Sequence, residues 1–366
     1  MKKIYVAATG QHKGKTTCTL GIAANFQSQG HSVGYCKPVG QQHLTINERL
    51  ADKDAVLFGD TLGFAVQPEL HSPVVLASGV TSRFIDDPSE FTFSTDIAYA
   101  AQRLEADNDV VVYEGTGHPG VGSIINLSNA QVARQLGTDA VIIVEGGIGK
   151  TIDRLNMGLA LFREEGVNVC GVIVNKVHVD KYDRVKDYLG RQLARMGLPL
   201  LGVLPYDQSM GFPIMGTICK ALKGNVLFNQ DHLDNHVAEI LAGSLIEIDE
   251  FTYFDNVLLV VNSSRFKHAI KKIQDEAAVR GLDHSPLSGV IITGAGRAAF
   301  ESKRDLFADP YLMENKVPVL TTRFDTYDSV VKISRIEVKI NTKTPWKVQR
   351  AIELINEHVD LDRILS

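Results

Sequence analysis

The chain has few cysteines and no long apolar run. Four cysteines, Cys18, Cys36, Cys170 and Cys219, are scattered through 366 residues without a C-x-x-C pair. That spacing supports neither a disulfide framework nor a thiolate metal cluster, and fits a reduced, cytoplasmic protein with buried thiols. No run of about eighteen apolar residues occurs, so no transmembrane helix is expected. The basic start MKKIYVAATG holds an apolar run of about six residues, too short for the hydrophobic region of a secretory signal. A large excess of one charge is lacking too: a net −5 at pH 7 gives no electrostatic reason to bind nucleic acid or an anionic membrane. A small anionic ligand therefore needs positive groups gathered locally. Low-complexity blocks and a repeat joining the two halves are also missing, and 44% hydrophobic with 22% charged residues is a globular composition.

At this length two cores are expected rather than one. The first two hundred residues alternate short β-branched runs with helical patterns, which predicts an α/β fold with a parallel sheet. The predicted strands are KIYVAA, SVGYCKP, DVVVYEG, DAVIIVEG, VCGVIVNK and LPLLGVLP, whose continuous apolar character fits burial on both faces. After Pro205 the stretch YDQSMGFPIMG turns polar and rich in glycine and proline, which places a boundary near residue 212. Residues 213–340 carry their own strand-like runs, NVLLVVNSS, LSGVIITGAG and VPVLTTRFDT, and read as a smaller α/β domain. Residues 341–366 read as a C-terminal packing helix opened by Thr344 and Pro345.

Two stretches resemble phosphate-binding loops, ATGQHKGKTT at 8–17 and VEGGIGKT at 144–151. Against the pattern G-x-x-x-x-G-K-[ST], the first glycine of the earlier stretch should stand at Thr9 and is displaced to Gly10. In the later stretch it falls on Val144, inside a strand, with too few residues left to curl round a phosphate. The earlier loop follows a hydrophobic strand and leads into a helix, so backbone N–H groups and the helix dipole of residues 10–17 (Gly10, Gln11, His12, Lys13, Gly14, Lys15, Thr16, Thr17) can converge on an anion. Lys15 then neutralises the β- and γ-phosphates of a nucleotide, and the Thr16 hydroxyl ligates Mg²⁺. The plain alternative is a glycine turn with a surface lysine. The later loop reads as a strand end where glycines turn the chain and Thr151 caps a helix; Lys150 stands either as a substrate- or γ-phosphate-side cation or as a solvated helix-start lysine.

A Mg²⁺-nucleotide site needs carboxylates, and Glu114, at the end of DVVVYEG, lies where ligands collect in open α/β sheets. Asp54, in ADKDAVLFG, reads equally as a metal ligand and as a helix cap.

The segments ATGQHKGKT, GYCKPVG, DKDAVLF, YEGTG and GVIVNKV occur in the order and at about the spacing found in dethiobiotin synthetase, and residues 1–210 resemble that family. Closer still is the dethiobiotin-synthetase-like region of long phosphotransacetylases and their stand-alone relatives, where GHPGVGSIINLSNAQVA and VEGGIGKTIDRLNMGLALF have counterparts. In those proteins a DRTGG domain follows, and residues 213–335 are similar to it. The resemblance implies a P-loop NTPase sheet, ATP and Mg²⁺ as cofactors, Thr16, Asp54 and Glu114 as metal ligands, and Lys15 and Lys37 as the lysines that stabilise phosphate and carbamate charge. It also implies that Asn175 recognises adenine, where a buried turn-forming asparagine is the plain alternative, and that the protein is a homodimer.

The departures narrow the chemistry. Ala8 stands in place of the family's first loop glycine, Gly10 replaces an acid, and GQQHL replaces the serine-containing segment that helps bind the biotin-pathway substrate. The nucleotide site is expected to remain and that substrate to be lost. No Cys-Gly elbow with a histidine pair follows residue 213, so a glutamine amidotransferase is not expected, nor is a complete phosphotransacetylase. Two functions stay open: an ATP-dependent, ligase-like activation of a small carboxylate or carbamate, and a regulatory ATP-binding module acting through the DRTGG-like domain.

Overall fold

The computed structural model describes residues 1–243, 254–294 and 304–366, so Ala295 and Gly296 of the TGAG turn lie outside the described residues. The chain divides into two compact units, Met1–Asp207 with Ile340–Ser366, and Gln208–Lys339.

In chain order the first unit's strands are Lys2–Ala8 (β1), Val33–Cys36 (β2), Val39–Gly40 (β3), His43–Ile46 (β4), Arg49–Asp52 (β5), Val74–Val75 (β6), Val110–Glu114 (β7), Asp139–Glu145 (β8), Val169–Val177 (β9) and Leu200–Pro205 (β10). Six of them form one parallel sheet in the order β10-β9-β8-β1-β7-β2. These are the six apolar runs of the sequence. Their side chains, such as Ile4, Val6, Val112, Ile142 and Val174, are buried on both faces, as helix-covered parallel sheets require. The chain passes from β1 outward to β2, the later β7 fills the gap between them, and β8 lies on the other side of β1. The strand order therefore reverses at β1, and the crevice at the carboxyl ends of the strands opens there. Beside it lies the antiparallel hairpin β4–β5, which pairs His43 with Asp52.

Two helices carry site residues, Lys15–Ser28 (α1) and Lys53–Leu62 (α2). Helix Pro345–His358 packs on α1, which joins the end of the chain to the first unit. The close approach falls at Gly21, where a Cβ would stand 2.6 Å from the Ala351 carbonyl oxygen. Asn25 Nδ2 donates to the Ile352 carbonyl at 3.0 Å. Ala351, Leu354 and Ile355 are buried along this contact, and each large side chain buried this way stabilises the fold by about 1.5–3 kcal/mol.

The second unit has a mixed sheet in the order β11-β15-β14-β13-β12, from Asn225–Phe228 (β11), Glu239–Ala242 (β12), Val257–Asn262 (β13), Leu287–Thr293 (β14) and Val319–Thr321 (β15). β11 runs antiparallel to β15 and the other neighbours are parallel. Val257–Val261 and Val290–Ile292 form the sheet's buried centre, with alternate side chains feeding the cores on its two faces. Among the described residues no helix is long and apolar enough to cross a membrane.

Candidate nucleotide-binding site

β1 ends buried at Ala8, and the chain turns through Thr9–Gly14 into α1. The left-handed conformation falls on His12, at φ 58°, and on Gly14, at φ 85°, not on Gly10, where a Cβ would meet only the flexible Lys13 side chain at 3.5 Å. Gly14 is demanded by space as well as by φ: a Cβ there would lie 2.0 Å from Asn175 Nδ2. The loop is held by side chains from the neighbouring strand ends. Asn175 Nδ2 donates to the Lys13 carbonyl at 2.9 Å, Lys176 Nζ donates to the His12 carbonyl at 2.6 Å, and Lys13 pairs with Glu145. The first-turn N–H groups of α1 have no partners within the helix, and Gly14 before them makes no side-chain cap bond, which leaves them for an anion.

The metal residues named from the resemblance come together at the start of α1. Thr16 Oγ1 donates to Glu114 Oε1 at 2.7 Å, and Asp54 Oδ2 lies 3.4 Å from the same hydroxyl. Glu114 is fully buried at the end of β7. Its second oxygen, Oε2, accepts from the Tyr35 hydroxyl at 2.9 Å. Asp54 is not the cap of α2. That place is taken by Asp52, whose Oδ1 accepts from the Asp54 N–H at 3.0 Å, which leaves the Asp54 carboxylate directed at the site. Asp52 Oδ2 also accepts from the N–H groups of Gln41 and Gln42 at 2.9 and 3.1 Å, so the GQQHL segment is anchored there. Lys37 is buried and paired with Asp54 and, at 3.2 Å, with Asp52.

Charge follows from this crowding. Burial pushes the Lys15 amine down to about 8, against the attraction of Glu114, while Lys37 adds to the lowering. Lys37 is held above the ordinary lysine range, because Asp54, Glu114 and Asp52 outweigh the burial that opposes its charge. Burial raises Glu114, with Lys37 acting against it.

Oxygen donors from one hydroxyl and two carboxylates suit Mg²⁺, which keeps several waters and takes one or two protein carboxylates beside phosphate. Asn175 lies on the other flank of the loop. Its Oδ1 accepts from the Lys176 N–H at 2.8 Å, so its observed bonds brace the backbone.

The second glycine loop stands at the end of the neighbouring strand β8, where Gly147 adopts φ 140°. Thr151 does not cap the helix Gly149–Glu164. It lies inside the first turn, and its hydroxyl bends back to donate to the Glu145 carbonyl at 2.8 Å. Lys150 is exposed.

Sequence reasoning passed over Tyr35, Asp52, Glu145 and Lys176. Asp52 carried a readable signal, an aspartate directly before a helix; the other three act through contacts between distant strands.

A family model described as an AAA domain matches residues 2–213. Phosphate acetyltransferase of Pseudomonas aeruginosa is 24% identical over 99% of this chain and 51% of its own length. ATP-dependent dethiobiotin synthetase of Escherichia coli is 27% identical over 56% of this chain and 87% of its own length. Cobyric acid synthase of Pelotomaculum thermopropionicum is 25% identical over 70% and 52%. The chain spans about half the length of the phosphate acetyltransferases it matches.

Proposed function

The chain belongs to the AAA domain family through residues 2–213, and on that footing we propose that it binds Mg-ATP at the loop 9–14 and transfers a phosphoryl group to a small carboxylate or carbamate. The carrying observation is the cluster of Thr16, Glu114, Asp54 and Lys37 at the mouth of the loop. In this reading the loop's N–H groups and Lys15 would hold the β- and γ-phosphates, while Thr16, Asp54 and Glu114 would hold the metal, which would supply charge neutralisation. Lys37, which meets the same Asp54 oxygen that Thr16 approaches, binds the anionic acceptor and meets the charge that builds during transfer. Lysines, a hydroxyl and acids suffice, because phosphoryl transfer is catalysed mainly by positioning and electrostatics. The asparagine Asn175 keeps one N–H and a carbonyl lone pair for the adenine edge beyond the bonds it makes to the loop.

The likeness to a relative named as ATP-dependent supports the nucleotide. The acceptor class rests on the ligase-like resemblance and on Lys37. A second reading, a regulatory ATP-binding module acting through a DRTGG-like second domain, draws on the path of the chain: it leaves the first unit after Asp207 and rejoins it at Ile340. Mg²⁺-dependent ATP hydrolysis by the wild type and by Lys15→Ala, with and without a panel of small carboxylates and diamines, separates the two. Turnover stimulated by one compound supports the ligase, and ATP binding without stimulation supports the sensor. No adenine nucleotide binding at millimolar concentration would sink both.

A further inference from the structure

We infer that Tyr35 is a positioning residue for both acids of the metal site, an inference that rests on the Mg-ATP reading above. Tyr35 lies buried on β2. Its hydroxyl donates to Glu114 Oε2 at 2.9 Å, the oxygen that Thr16 leaves unused. A buried carboxylate bonded through one oxygen can still rotate about its last torsion. Bonded through both, with Thr16 on one side and Tyr35 on the other, it keeps Oε1 directed at the hydroxyl.

The ring of the same residue acts on the second acid. It stacks on Phe58, with centroids 3.6 Å apart and planes 13° from parallel. Phe58 lies on α2 four residues after Asp54, so the two share a helix face. The stack therefore sets how closely the start of α2, and with it Asp54, approaches Thr16. A phenylalanine would fill the same core volume; the hydroxyl is explained by Glu114 alone. Outer partners of metal-binding carboxylates act in this way, by fixing orientation.

The test is the Mn²⁺ affinity of the full chain at saturating ATP, read from the electron paramagnetic resonance of free Mn²⁺, beside ATP affinity in EDTA and the thermal midpoint. Tyr35→Phe keeps the stack and loses the hydroxyl, and is expected to raise the Mn²⁺ dissociation constant about tenfold while ATP affinity in EDTA stays within about twofold. Phe58→Leu, which keeps the hydroxyl bond and loosens α2, is expected to weaken Mn²⁺ binding to a smaller degree. Unchanged Mn²⁺ affinity in Tyr35→Phe overturns the inference, as does an equal loss of ATP affinity in EDTA, which marks a general structural role. If Tyr35→Phe unfolds, Phe58→Leu decides, and unchanged Mn²⁺ affinity there overturns it. A wild-type chain that binds no ATP at all instead overturns the Mg-ATP reading itself, so the two failures are distinct.

Discussion

Two loops of this protein spell Gly-Lys-Thr at the carboxyl edge of one sheet, on the adjacent strands β1 and β8, and they differ in everything that matters to a phosphate. In the first, Gly14 is left-handed and packed on Asn175, Lys15 opens a helix beside three carboxylates, and the Thr16 hydroxyl faces Glu114. In the second, Gly149 has open space around it, Lys150 is exposed, and the Thr151 hydroxyl is spent on the carbonyl of Glu145. The motif letters set the chemistry available; the acids across the sheet edge and the strapping side chains decide which copy can use it. The two loops are nonetheless connected, since Glu145, at the base of the second, pairs with Lys13 of the first.

Paired substitutions sharpen the contrast. If Lys15 holds two phosphates as proposed, Lys15→Ala should lower ATP affinity about 100-fold or more, whereas Lys150→Ala, at an exposed position, should change it by no more than about threefold; calorimetric titration reads both. Thr16→Val should weaken Mg²⁺-dependent ATP binding about tenfold or more. Its counterpart Thr151→Val should leave the metal dependence intact and cost about 1 kcal/mol of stability, measured by chemical denaturation. Gly14→Ala forces a left-handed alanine against Asn175 and should cost about 1–2 kcal/mol before any packing penalty, while Gly149→Ala at an unhindered helix start should be neutral or stabilising by up to about 1 kcal/mol.

A further expected effect is one of pH. On the proposed reading phosphate binding needs the Lys15 ammonium, and burial lowers that amine to about 8. Below that value the lysine is already charged and affinity should be flat. Above it the protein must take up a proton to bind, so affinity should fall with pH, by at most about tenfold per unit. Proton uptake, measured by titration in buffers of different ionisation enthalpy, gives the sign; proton release on binding at pH 8.5 would break the account of Lys15.

The fold was legible where burial is two-sided. The strands KIYVAA and DAVIIVEG need apolar side chains on both faces, and they announce themselves as unbroken apolar runs. The hairpin β4–β5 went unread because HLTI and RLAD are half-exposed and lack turn glycine. At the site, residues with their own motif, Gly14-Lys15-Thr16 and the strand-end Glu114, could be named. Asp54 needed its neighbour: once Asp52 is recognised as the cap, Asp54 is released from that role. Tyr35, Lys176 and Glu145 act through bonds spanning 79, 164 and 132 residues of chain, and no local pattern marks such partners. Asn175 was named for the base, and its two observed bonds run to the loop backbone and to its own strand.

The central claim, that one loop and not its twin holds the nucleotide, is tested most directly by titrating ATP with Mg²⁺ into the wild type, Lys15→Ala and Lys150→Ala. The account predicts one site per chain, lost in Lys15→Ala and retained in Lys150→Ala. Two sites per chain, or binding that survives Lys15→Ala and disappears in Lys150→Ala, would contradict it.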